Sequence, residues 1–172
     1  MIWQYILTAL SCALFFGFVA LCVKKFGLRS CYSAYGPLWA AIPPFTFTFN
    51  PWSIVTLVTA FILVPVTIEV AEGSSWQFLG FLCPALLLFV ALTPDYGTNK
   101  VAGVVHVVCA GLAALMSVLY ILLVTPNLWW IIVVVVALAT AASLYTGFKA
   151  HWDFWFEMAA YVGIYTTVFL AI

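Results

Sequence analysis

Six side chains of the 172-residue chain could carry acid–base or metal chemistry: Asp95, His106, His151, Asp153, Glu157 and Tyr161. Asp153, Glu157 and Tyr161 follow one another at intervals of four, so on a helix they share a face, with Tyr165 one turn further. An imidazole that meets a carboxylate can exchange protons with it, which makes His106 and Glu157 the candidate catalytic pair. Adding Asp153 or Asp95 gives candidate ligands for a zinc-like ion and its activated water, as a metal-dependent intramembrane hydrolase of lipids would need. The histidines form neither HExxH nor an HxxxH pair, so spacing lends that chemistry little help. Two other readings use the same residues. One is a structural clamp, in which Glu157 accepts a hydrogen bond from His106 or Tyr161 because buried polar groups must be paired. The other is a binding or transport site for a proton, an ion or a lipid head group.

The elements that must hold these side chains follow from composition. The chain is 67% hydrophobic and 18% aromatic, with 6% charged residues, and its mean hydropathy is +1.24. Soluble domains are about 45–50% apolar and about 25% charged. Five basic and five acidic residues could not cover a water-soluble surface of this size. Disorder and coiled coil are excluded by the same arithmetic, and a formal net charge of zero gives no case for nucleic acid as a partner. Long uncharged runs predict an all-α, polytopic transmembrane bundle in a single domain, with six spans at about 2–23, 52–71, 76–93, 101–124, 129–148 and 154–172. The segment 37–51 carries four prolines, Pro37, Pro43, Pro44 and Pro51, and is predicted to be interfacial or re-entrant rather than spanning. The N-terminal run lacks a basic n-region and is longer than a signal h-region, so it reads as a retained helix.

Orientation follows from the basic residues. Lys24, Lys25, Arg29, Lys100 and Lys149 all fall in the loops 24–51, 94–100 and 149–153, which places those loops in the cytoplasm and both termini outside. Trp52, Trp76, Trp129, Trp130, Trp152 and Trp155 lie at span ends, as interfacial aromatic belts require. The expected location is a bacterial cytoplasmic (inner) membrane. On this topology His106 and Glu157 enter from the same side, about 8 Å below the start of their spans.

The five cysteines show no CxxC or zinc-ribbon spacing; four lie in apolar runs, and Cys31 stands in a polar loop as a candidate free thiol. Glu69 and Glu72 are expected at the outer interface, where an oligomeric cation pore would use them as a mouth. The hydroxyl-rich loop Arg29–Tyr35 reads as a juxtamembrane anchor or a contact for lipid phosphates. The sequence carries no nucleotide, haem or flavin signature and leaves any cofactor undefined.

Three local patterns, Ser30-Cys-Tyr-Ser-Ala-Tyr35, Val105-His106 and Trp155-Phe-Glu157, give the chain a resemblance to a family of small, uncharacterised six-span membrane proteins of Bacteroidetes-type bacteria and their phages. Its loop has Tyr32 where that family's Ser-x-Ser-x-x-Tyr-Tyr pattern has the second serine. The resemblance implies the six-span layout and singles out His106 and Glu157, and it implies no activity. The function expected from the sequence is therefore non-enzymatic: binding or transport of a small molecule, ion or lipid, or a subunit role in a membrane assembly. Membrane lipids, a second copy of the chain or another membrane protein are the expected partners. The alternatives are the metal-dependent lipid hydrolase and the cation pore.

Overall fold

The computed structural model describes residues 2–46, 49–94 and 96–172. In hydrocarbon every backbone N–H and C=O must be satisfied within its own segment, so a chain this apolar becomes helical. The helices are α1 Ile2–Phe26, α2 Tyr35–Ala40, α3 Pro51–Val70, α4 Phe78–Ala91, α5 Lys100–Leu123, α6 Trp130–Thr146 and α7 Phe148–Ala171. Even the β-branched run Ile131–Val136, a strand signal in water, lies inside α6. Among the described residues no strand is formed.

Helix starts are set by local chemistry. Asn50 accepts from Ser53 N–H and so caps α3, while Asn99 accepts from Val101 and Ala102 N–H at the head of α5. Gly147 takes φ of 100°, a region costly for any residue with a Cβ, and lets α6 end one residue before α7 begins. That tight hairpin differs from the expected break at 149–153. Helix α7 opens six residues before Phe154, because Lys149, His151 and Asp153 extend from its first turns at the end of the bundle instead of interrupting it.

Among the described residues five helical segments are long and apolar enough to cross a membrane: Ile2–Phe26, Pro51–Val70, Lys100–Leu123, Pro126–Thr146 and Phe148–Ala171. The expected span at 76–93 is shorter as a helix, since Trp76 and Gln77 stay in a turn and α4 has 14 residues. At 1.5 Å per residue it is about 21 Å long, less than the roughly 30 Å of a hydrocarbon core. Its two ends lie near Thr67 of α3 and His106 of α5. Thr67 Oγ1 donates to the Gly80 carbonyl at one end, and Thr93 meets His106 just past its other end. Among its described residues the Pro-rich segment holds the end of the six-residue α2, which lies against α1 and α3 with Trp39 buried, and Pro51 at the start of α3.

Helices α1, α3, α4 and α5 pack in series, with α7 against α1, α3 and α5; α6 packs on α7 and on no other helix to a comparable extent. The core is apolar and aromatic, around Phe15, Tyr35, Trp52 and Leu63, with hydroxyl and amide side chains among it. Gln4, Thr8 and Ser11 on α1, and Thr56, Thr59 and Thr67 on α3, are buried at helical spacing, while Ile6, Leu10, Leu57 and Phe61 face outward. Ser11 Oγ meets the Tyr165 hydroxyl at 2.7 Å and donates to the Thr59 carbonyl at 3.1 Å, tying α1, α3 and α7 together. At Gly80 the backbones of α4 and α3 come so near that a Cβ would collide with the Thr67 carbonyl; the Tyr120 hydroxyl donates to that same carbonyl at 3.0 Å.

Candidate functional site

The loop after α1 is fastened along one face of α7. The Arg29 carbonyl accepts from His151 Nδ1–H at 3.0 Å, and the Ser30 carbonyl accepts from Phe154 N–H at 2.8 Å. Tyr32 N–H then donates to Glu157 Oε2. Positions 151, 154 and 157 advance by three, so an extended strand of loop descends the helix with one bond per turn. Glu157 thus receives a backbone donor, where the sequence suggested His106 or Tyr161.

The next loop residue turns to the other side. Ser33 Oγ lies 2.8 Å from His106 Nε2, and His106 Nδ1 lies 3.2 Å from Thr93 Oγ1. Thr93 has one hydroxyl proton, and the Phe89 carbonyl at 2.9 Å and the Val90 carbonyl at 3.2 Å both compete for it. With that proton on a carbonyl, Thr93 accepts from Nδ1–H and Nε2 is the acceptor for the Ser33 hydroxyl proton. The imidazole is 4% exposed and stacks on Tyr96, with ring centroids 4.3 Å apart and planes 20° apart. Trp52 stands 6.1 Å away on another side.

Both residues of this pair open onto a groove of about 610 Å³ between α5 and the α6–α7 hairpin. The groove exists because α6 pairs with α7 and leaves the facing strip of α5 uncovered. One end is polar, with Cys31, Ser33, Tyr96, His106, Asp153 and Glu157; the remainder is mostly small and aliphatic, as at Ala110, Gly111, Ala114, Val135 and Gly163, with Ser117 a further hydroxyl whose proton goes to the Ala113 carbonyl and with Trp152 and Phe156 also in the wall. Its volume is in the range of about 300–1,000 Å³ common for ligand sites. From His106 to Ile121 the α5 wall spans about 22 Å, more than the roughly 15 Å depth of one leaflet's hydrocarbon. A smaller cavity of about 70 Å³ lies behind it among α3, α4, α5 and α7, with Glu157 and Ser33 lining both spaces.

The structure thus gathers His106, Asp153 and Glu157 on one groove, and it disperses the other candidates. Asp95 lies outside the described residues. His151 is held by the loop carbonyl, away from the groove lining. Tyr161 is buried with its ring stacked on Phe15 at 3.8 Å. Cys31 is half-buried, and burial followed by the nearby Glu157 carboxylate pushes its thiol up, away from reactivity. Among the described residues no three of His, Cys, Asp and Glu come together as a metal site. Sequence reasoning did not single out Ser33 or Thr93, and it used Tyr32 only as a departure from a family pattern. Their partners lie 13 to 125 positions away.

Fold and site together define a helical, membrane-type bundle with a lateral groove polar at one end. No family profile, curated protein or solved structure matches the chain.

Proposed function

We propose that this chain is an integral protein of a bacterial cytoplasmic membrane that binds a membrane lipid, or an amphiphile like one, in the groove between α5 and the α6–α7 hairpin. The observation that carries the reading is the polarity of that groove: the ionisable side chains cluster at one end, and the length of an acyl chain beyond them is lined by mostly apolar residues, with Ser117 as the one hydroxyl among the described lining residues there, bonded to the Ala113 carbonyl. A pocket for a soluble metabolite would need polar groups on several walls, and a transport path would need them along its length. Six crossings fit this site, with α4 as the short one. Helices α3 and α5 run in the same direction, so the chain must return between them. The basic residues support a cytoplasmic placement of the polar end, because Arg29 and Lys149 adjoin the bonded loop and Lys100 opens α5. Lys25 lies over the Trp39 ring at 4.2 Å, a pairing suited to the head-group layer.

The test is photolabelling in nanodiscs with a phospholipid whose acyl chain carries a diazirine. Adducts are expected on peptides from 107–121, 132–136 and 159–163, and Ala114→Phe, which fills the groove, should remove most of them. Labelling spread evenly over all outward faces and unchanged by Ala114→Phe would refute the reading.

A further inference from the structure

We infer that Ser33 and His106 form a nucleophile–base pair that cleaves an ester or thioester of a long-chain acid held in the groove, an inference that rests on the lipid-binding reading above. Three observations carry it. The Ser33 hydroxyl and His106 Nε2 are 2.8 Å apart, within the reach that proton abstraction needs. The contacts admit the tautomer the chemistry needs: with the Thr93 proton on the Phe89 or Val90 carbonyl, Thr93 accepts from Nδ1–H and Nε2 is free to take the serine proton. Thr93 is thereby a positioning residue, the third member that orients a base. Finally, the pair stands at the polar end of the groove, and Ala110 and Ala114 continue one and two turns beyond His106 on the same face of α5. An alkyl chain lying along that face brings its carboxyl end to Ser33.

The chemistry balances without a metal or a redox partner. Ser33 Oγ bonds to the acyl carbon as its proton passes to Nε2, and the C–O or C–S bond to the alcohol or thiol breaks as Nε2 returns that proton to the leaving group. Water then attacks the acyl-serine, Nε2 takes the water's proton, and the proton returns to Ser33 Oγ as the free acid leaves.

A long-chain alkyl fluorophosphonate, which phosphonylates an activated serine with loss of fluoride, tests this on the full-length protein in nanodiscs. The expected result is an adduct located at Ser33 by mass spectrometry, lost in Ser33→Ala. His106→Gln should slow it by about a hundredfold or more, the usual share of a general base. Thr93→Val should slow it less and should shift the pH dependence of labelling, which a purely structural threonine would not do. Failure of wild-type Ser33 to label, while the diazirine lipid still marks the groove, would overturn the nucleophile and leave the lipid site standing. Labelling of Ser33 that Ala114→Phe leaves untouched, with diazirine adducts also unchanged, would instead remove the groove as the place where the chain binds. An adduct elsewhere and none at Ser33 would overturn the inference as well.

Discussion

Ser33 Oγ and His106 Nε2 are 2.8 Å apart although the residues are 73 positions apart in sequence. Ser33 belongs to a short loop and His106 to the second turn of a membrane helix, and each is at most 5% exposed. The neighbouring Tyr32 N–H is spent on Glu157. Two consecutive loop residues therefore join α5 to α7 at the place where those helices border the groove. The loop is an inner wall of the site, with polar contacts to both helices.

Glu157 and Glu72 should respond very differently to replacement by leucine. Glu157→Leu strands the Tyr32 N–H beside the groove and should cost about 1–3 kcal/mol. Glu72 is exposed in a turn, and Glu72→Leu should fall within about 0.5 kcal/mol of wild type. Unfolding in mixed micelles, followed by circular dichroism, measures both; equal losses would contradict the loop-to-helix bond.

Gly80→Ala should destabilise the opposite end of the bundle by about 1–3 kcal/mol, because the added Cβ collides with the Thr67 carbonyl and backbone must shift. Gly111→Ala is the control: a Cβ there meets nothing within 4 Å. The same unfolding assay should rank them clearly.

Gly147→Ala tests the hairpin. Holding an alanine at φ of 100° should cost about 1–2 kcal/mol. The loss should come with greater protease nicking at 146–149 if the junction loosens, and unchanged stability and cleavage would show that the turn has another low-energy form.

Cys31 gives a pH readout. Its thiol is raised, so the thiolate fraction at pH 8 is below that of an ordinary cysteine, and maleimide labelling should climb with a midpoint above about 8.5. Burial is the larger cause and the Glu157 charge the second, so Glu157→Gln should move the midpoint down only part of the way. In oriented vesicles the reagent should reach Cys31 only from the side that holds the lysines. Labelling from the other face would reverse the proposed topology.

Five of the expected spans were legible because length and apolarity alone determine a helix in hydrocarbon, and the sequence also placed His106 and Glu157 at one end of the bundle. Helix margins were harder to read. Charged residues such as Lys149 and Asp153 mark a loop in a hydropathy plot, yet a helix end that reaches the head groups carries them without penalty. The loop bonds had no local signal, since Ser33 and Tyr32 look like any polar linker until α5 and α7 are brought beside them. One signal was present and went unused: Gln4, Thr8 and Ser11, like Thr56, Thr59 and Thr67, mark the inward faces by their spacing. In water the apolar stripe points to the core; in lipid the polar stripe does.

The fastening of the loop also sets an order of events during biosynthesis. Tyr32 leaves the ribosome 125 residues ahead of Glu157, a delay of roughly 6–25 s at about 5–20 residues per second. Through that interval α1, α3 and α5 can be inserted, but the segment between Arg29 and Ser33 has no α7 to bind. The polar wall of the groove is therefore completed only when the last helix arrives, and a chain stalled before α7 holds an unfinished site.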